Sequence, residues 1–114
     1  MKIMIHKNEL FLFLAIISEI FATTCLKMTN GSFKSIYLIG VCIGYVLAFG
    51  FLSIAIKTID ISIAYAIWSG LGIIGITMIG ILLFNESISL LKIIFICAIL
   101  VGVIGLNLLE RSSL

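Results

Sequence analysis

Residues 61–84 read ISIAYAIWSGLGIIGITMIGILLF, without a charged side chain. An α-helix needs about 20 such residues to cross the ~30 Å hydrocarbon core of a bilayer, since each residue advances it by ~1.5 Å. The stretch lacks the apolar and polar alternation of lipid-facing barrel strands, which are only about 9–11 residues long. It therefore predicts a membrane-spanning helix.

Three more apolar runs occupy about residues 10–27, 36–56 and 90–109. Charged residues, Asn, Gly and Ser collect in the gaps, and because the chain has no Pro, we expect these residues to end the helices. Of the 114 residues, 63% are hydrophobic and 11% charged, whereas soluble domains carry about 25% charged residues. The sequence predicts an all-α membrane protein in which residues 1–114 form one domain of four transmembrane helices.

One carboxylate, Glu19, lies near the middle of the first run. Insertion scales put an acid at this depth at about +2.5–3.5 kcal/mol, and such acids usually face a protein interior or a watery cavity and mark a proton or ion path. Ala15 and Thr23 lie four residues to either side, on the same helical stripe. We expect Glu19 to be a proton or cation site; the alternative is a protonated acid that only hydrogen-bonds another helix.

Aromatic residues occur at mid-span positions. Tyr65 and Trp68 are three residues apart in the third run, and Tyr45 lies in the second. Aromatic faces attract cations, although aromatic residues also anchor helices at the membrane interface. An acid and aromatic walls in apolar surroundings describe a site for a lipophilic cation, and four helices are too few to enclose it. We therefore expect a dimer that shares the site.

The basic residues near the span ends give little preference for either orientation of the chain in the membrane. Four basic residues (Lys2, Lys7, Lys57 and Arg111) are expected on one side, and three (Lys27, Lys34 and Lys92) on the other. Two explanations stay open: the chain inserts both ways and pairs antiparallel, or a partner subunit imposes the orientation.

The sequence offers little for catalysis or cofactor binding. The single histidine, His6, precedes the first run, and we find no nucleophile and base pair and no metal-ligand cluster. Cys25, Cys42 and Cys97 lack metal-ligand spacing and are expected to be small buried side chains. We expect neither an enzyme nor a bound metal or cofactor.

Several motifs resemble the small multidrug resistance family of proton-coupled exporters. They are Ser18-Glu19-Ile20, Thr23-Thr24, Asn30-Gly31 and, above all, AYAIWSGLG at residues 64–72. The resemblance runs from about Leu10 to Leu109.

The resemblance implies a proton-coupled antiporter that exports lipophilic or quaternary ammonium cations from a prokaryotic cell, as a multi-pass protein of the cell membrane. It implies an antiparallel dimer in which each Glu19 binds either protons or the substrate. The positions that match the family's functional residues are Glu19 for coupling, Ala15, Thr23, Tyr45, Tyr65 and Trp68 for substrate binding, Gly70 and Gly72 for a helix kink, and Gly102 for a dimer contact.

A second function stays open. Residues 85–89 and Leu91-Lys92 are similar to a paired-subunit branch of the family associated with polyamine export, and Glu9 stands where drug exporters commonly have tyrosine. The alternative is therefore a polyamine exporter subunit that acts as a heterodimer with a second chain of the same family.

Overall fold

The computed structural model describes the backbone of residues 7–112 and the side chains of residues 8–109. Lys2 and His6 lie outside the described residues. Four α-helices make up the described chain, and all four are long and apolar enough to cross a membrane. This confirms the predicted all-helical architecture. The helices are α1 (Lys7–Met28), α2 (Tyr37–Ala55), α3 (Ile61–Leu83) and α4 (Leu90–Ser112).

The first and the last helix of the chain are longer than their apolar runs. α1 begins at Lys7 rather than residue 10, and α4 continues to Ser112 rather than ending at 109. Polar residues extend a helix beyond its membrane-spanning part when their side chains suit its end, and Glu9 lies in the first turn of α1, where the helix dipole favours an acid. Hydropathy alone cannot detect these extra turns.

The helix ends use the expected residues. Asn30 and Gly31 after α1 and Asn85 after α3 have positive φ angles of 52°, 76° and 53°, a conformation that Gly and Asn adopt most readily. Ser89 caps α4, because its Oγ accepts a hydrogen bond of 3.1 Å from the backbone N–H of Lys92.

α1 and α2 form one compact unit, and small residues bring their backbones together. A Cβ added to Gly44 would lie 2.6 Å from the Cβ and 3.0 Å from the Cα of Ala22. One turn earlier, a Cβ on Gly40 would lie 2.7 Å from Sγ of Cys25. Close contact between small residues drives helix pairing in lipid, where hydrophobic attraction between helices is absent.

The end of this pair at which α1 begins and α2 finishes has further contacts. Phe11 of α1 stacks on Phe51 of α2 with ring centroids 5.8 Å apart. Nearby in sequence, Nδ2 of Asn8 donates a hydrogen bond of 2.6 Å to Oγ1 of Thr58, just after α2. The α1–α2 pair is therefore joined along most of its length.

α3 and α4 form the second unit. A Cβ on Gly70 would lie 2.6 Å from Cγ2 of Val103 in α4, so Gly70 serves helix packing. No residue of α4 between Leu90 and Leu109 is buried. On this helix, a Cβ added to Gly102 would meet no atom within 4 Å.

The cysteines are only partly as expected. Cys25 is buried, but Cys42 and Cys97 are exposed. The prediction of burial is wrong for these two because their helices turn them away from the neighbouring helix of the same unit, and apolar character does not distinguish a packed face from an exposed face of a membrane helix.

Gly44→Ala should destabilise the protein by about 1–3 kcal/mol, since the new methyl group would force the α1 backbone away from α2. Gly50→Ala is the matched control on the same helix: its methyl group meets no atom within 4 Å, and Ala favours a helix over Gly by up to ~1 kcal/mol. The measurement is the midpoint of thermal unfolding in detergent, followed by circular dichroism. Equal midpoints for the two variants would contradict the close contact.

Candidate functional site

Glu19 has two carboxylate oxygens in different environments. Oε1 accepts a hydrogen bond of 3.0 Å from Oγ1 of Thr23, one turn further along α1. Oε2 is buried and has no hydrogen-bond partner among the described residues. A buried carboxylate oxygen without a donor is costly. The oxygen that lacks a partner is therefore the one suited to hold a proton or to face a cation.

Thr23 also links Glu19 to the second helix. Its Oγ1 lies 2.8 Å from the hydroxyl oxygen of Tyr45. A threonine hydroxyl has one proton. When Glu19 is ionised, Thr23 donates this proton in a hydrogen bond to the carboxylate, so Tyr45 is the donor to Thr23. The two hydroxyl groups and the carboxylate form a chain in which each proton points towards Glu19.

The contact between Gly44 and Ala22 explains why this chain forms. These two residues immediately precede Tyr45 and Thr23, and their lack of bulk lets the two backbones approach. Tyr45 is thereby brought within hydrogen-bond distance of Thr23. The packing of small residues in α1 and α2 thus sets the geometry of the polar site.

Phe49 is an aromatic residue that the sequence analysis missed. Its ring stacks on that of Tyr45, with centroids 6.3 Å apart and an angle of 24° between the planes, and 60% of its surface is exposed. The signal was present, because residues four apart lie on the same face of a helix. The two rings form an aromatic shelf (Tyr45 and Phe49) beside the hydroxyl chain.

The other predicted site residues are distributed over both units. Ala15, one turn before Glu19, is fully buried. On α3, Trp68 is 9% exposed and Tyr65 is 65% exposed, although they are only three residues apart. Gly70 and Gly72 are buried within a continuous helix. The structure brings together Glu19, Thr23 and Tyr45, and the functional roles of all the predicted site residues stay predictions.

No basic side chain in the two spans of this unit can balance a charge on Glu19. It is the only charged residue of α1 between Leu10 and Leu26, and α2 carries none. Within the described residues, no group of three His, Cys, Asp and Glu side chains could hold a metal ion. In this unit, a proton or a bound cation would have to supply the counter-charge.

Comparison with known proteins finds a matching family and similar bacterial proteins. The family described as "Small Multidrug Resistance protein" matches residues 7–109. Multidrug resistance protein EbrB of Bacillus subtilis is 45% identical over 89% of this chain and 86% of its own length. Quaternary ammonium compound-resistance protein QacE of Escherichia coli is 42% identical, over 94% and 97%. An uncharacterized membrane protein of B. subtilis, YvaE, is 43% identical, over 93% and 89%.

Four membrane-length helices and bacterial relatives over nearly the whole chain indicate a multi-pass prokaryotic membrane protein. The match to the family includes the helices that carry Glu19, Tyr45 and the residue 64–72 motif. The chain belongs to the small multidrug resistance family.

Proposed function

We propose that this protein is a proton-coupled antiporter that exports lipophilic or quaternary ammonium cations. The observation that carries the proposal is the environment of Glu19. One carboxylate oxygen is fixed by Thr23, the other is buried without a partner among the described residues, and neither span of this unit offers a basic side chain. Such a carboxylate can be neutralised by a proton or by a cation, but both cannot occupy the same oxygen together.

Competition for one site gives the coupling. A proton entering from outside displaces the cation, and a cation entering from inside displaces the proton. Each pH unit of gradient supplies about 1.36 kcal/mol per proton, and each net charge moved through 100 mV supplies about 2.3 kcal/mol. Alternate exposure of the site to the two sides of the membrane would then concentrate the substrate outside.

Aromatic side chains suit a substrate that carries charge on an apolar body. The shelf of Tyr45 and Phe49 lies directly beside the hydroxyl chain, and a desolvated cation over such rings gains about 2 kcal/mol or more. We assign substrate contact to Tyr65 and Trp68 as well, and we propose that the substrate approaches Ala15 closely. Bending of α3 is assigned to Gly70 and Gly72.

The relatives favour this substrate class. EbrB is named for multidrug resistance, and QacE for resistance to quaternary ammonium compounds. These names favour export of such cations over the polyamine-exporting heterodimer.

We further propose that the working unit is an antiparallel dimer. One chain supplies one Glu19, and α4 presents a span without a buried residue, which includes the open position at Gly102. Small residues on such a face allow two helices to pack closely in lipid. The near balance of basic residues at the span ends, four against three, would let the two copies insert in opposite directions.

Glu19→Gln should abolish proton-driven uptake of tetrapropylammonium into liposomes that hold only this chain, because an amide cannot exchange a proton or neutralise a cation. In the wild type, binding of the cation should weaken as the pH falls. The control is Glu86→Gln, the same change at an exposed loop position. Undiminished uptake by Glu19→Gln, or binding that does not weaken on acidification, would contradict the proposal.

The antiparallel arrangement predicts dual topology. In a variant with Cys25, Cys42 and Cys97 replaced, a single cysteine at Ser32 or at Asp60 should react with an impermeant maleimide in about half of the chains of intact cells, since antiparallel copies expose opposite ends. Complete labelling at one position and none at the other would show a single orientation and exclude the antiparallel dimer.

A further inference from the structure

We propose that the hydroxyl groups of Tyr45 and Thr23 act as a relay, in which Tyr45 donates a hydrogen bond to Thr23 and Thr23 donates one to Glu19. This relay supplies Glu19 with a hydrogen bond that a quaternary ammonium ion cannot supply. Thr23 is then a positioning residue that adapts the site to cations without N–H groups. This inference rests on the proposed function and concerns the chemical class of substrate at the same site. Its basis is the direction of the two hydrogen bonds and the burial of Oε2.

When Glu19 is ionised, counting protons fixes the direction of the hydrogen bonds. Thr23 donates to Oε1 of Glu19 at 3.0 Å and must therefore accept from Tyr45 at 2.8 Å. Both hydroxyl protons point towards the carboxylate. Hydrogen bonds aligned in this way polarise one another, so the donor that reaches Oε1 is stronger than a single threonine would be.

A charged carboxylate in the membrane needs donors more than a neutral one does. A tetraalkylammonium ion offers charge but no N–H group, so its complex with Glu19 would leave both oxygens without a hydrogen bond if the relay were absent. A cation with an N–H group can donate to Oε2, the oxygen that has no partner among the described residues. Loss of the relay therefore removes the last hydrogen-bond donor from the tetraalkylammonium complex. In the complex of a cation with an N–H group, it removes only one of two donors.

The test compares tetrapropylammonium with tripropylammonium, which differ by one propyl group and one N–H, by calorimetry on the full chain in detergent. Thr23→Val should weaken binding of tetrapropylammonium about tenfold and of tripropylammonium about threefold. Thr23→Ser keeps the hydroxyl and should bind both cations as the wild type does.

Matched controls separate the relay from general effects of the substitutions. Thr24→Val makes the same change at the next residue of α1, where the hydroxyl donates to the backbone oxygen of Ile20, and should leave both affinities unchanged. Tyr45→Phe should produce a smaller loss with the same preference for tetrapropylammonium. Tyr37→Phe, at an exposed position of α2, should produce none.

Equal loss of the two cations in Thr23→Val, or no loss, would overturn the inference even if Glu19→Gln abolishes binding. Wild-type behaviour of Tyr45→Phe would overturn the place of Tyr45 in the relay. Failure of the wild type to bind either cation, or tight binding by Glu19→Gln, would instead overturn the proposed function together with the inference.

Discussion

The approach of two helix backbones at Gly44 and Ala22 is the constraint on which the site depends. A single added methyl group at Gly44 would lie only 2.6 Å from the Ala22 side chain, so there is no spare space at this crossing. The following residues, Tyr45 and Thr23, meet through their hydroxyl groups as a result. Thr23 in turn contacts Glu19 within its own helix. The polar site is therefore a consequence of apolar packing one residue away.

This arrangement places the two oxygens of Glu19 in different surroundings. Oε1 is stabilised from within the protein by a chain of hydroxyl groups, whereas buried Oε2 has no partner among the described residues. A carboxylate satisfied on both oxygens would have little reason to bind a ligand, and one satisfied on neither would be too costly to keep charged in lipid. The division between the two oxygens suits the exchange of a proton for a cation that is proposed for this site.

Much of the architecture could be predicted from the sequence, since lipid imposes strong rules on length and composition. The four spans follow from apolar runs of about 20 residues, and the Asn and Gly turns from the readiness of these residues to adopt positive φ. The choice of Glu19 as a candidate site follows from the cost of an acid at mid-depth. The contact of Thr23 with Glu19 follows from their spacing of four residues. Helix pairing does not follow from such rules: nothing in the periodicity says that Gly44 meets Ala22, or that Cys42 faces away from the packed surface. The extra turn at Lys7 also depends on local contacts that hydropathy does not report, whereas the stacking of Phe49 on Tyr45 could have been expected from their spacing of four residues.

If a proton and a cation use the same carboxylate, binding of the cation must release the proton. The most direct test is to add tetrapropylammonium to the purified protein in a weakly buffered detergent solution and to measure proton release. Binding of the cation should release protons from the wild type, and Glu19→Gln should release none. Binding of the cation without proton release, at every pH at which the protein stays folded, would contradict it.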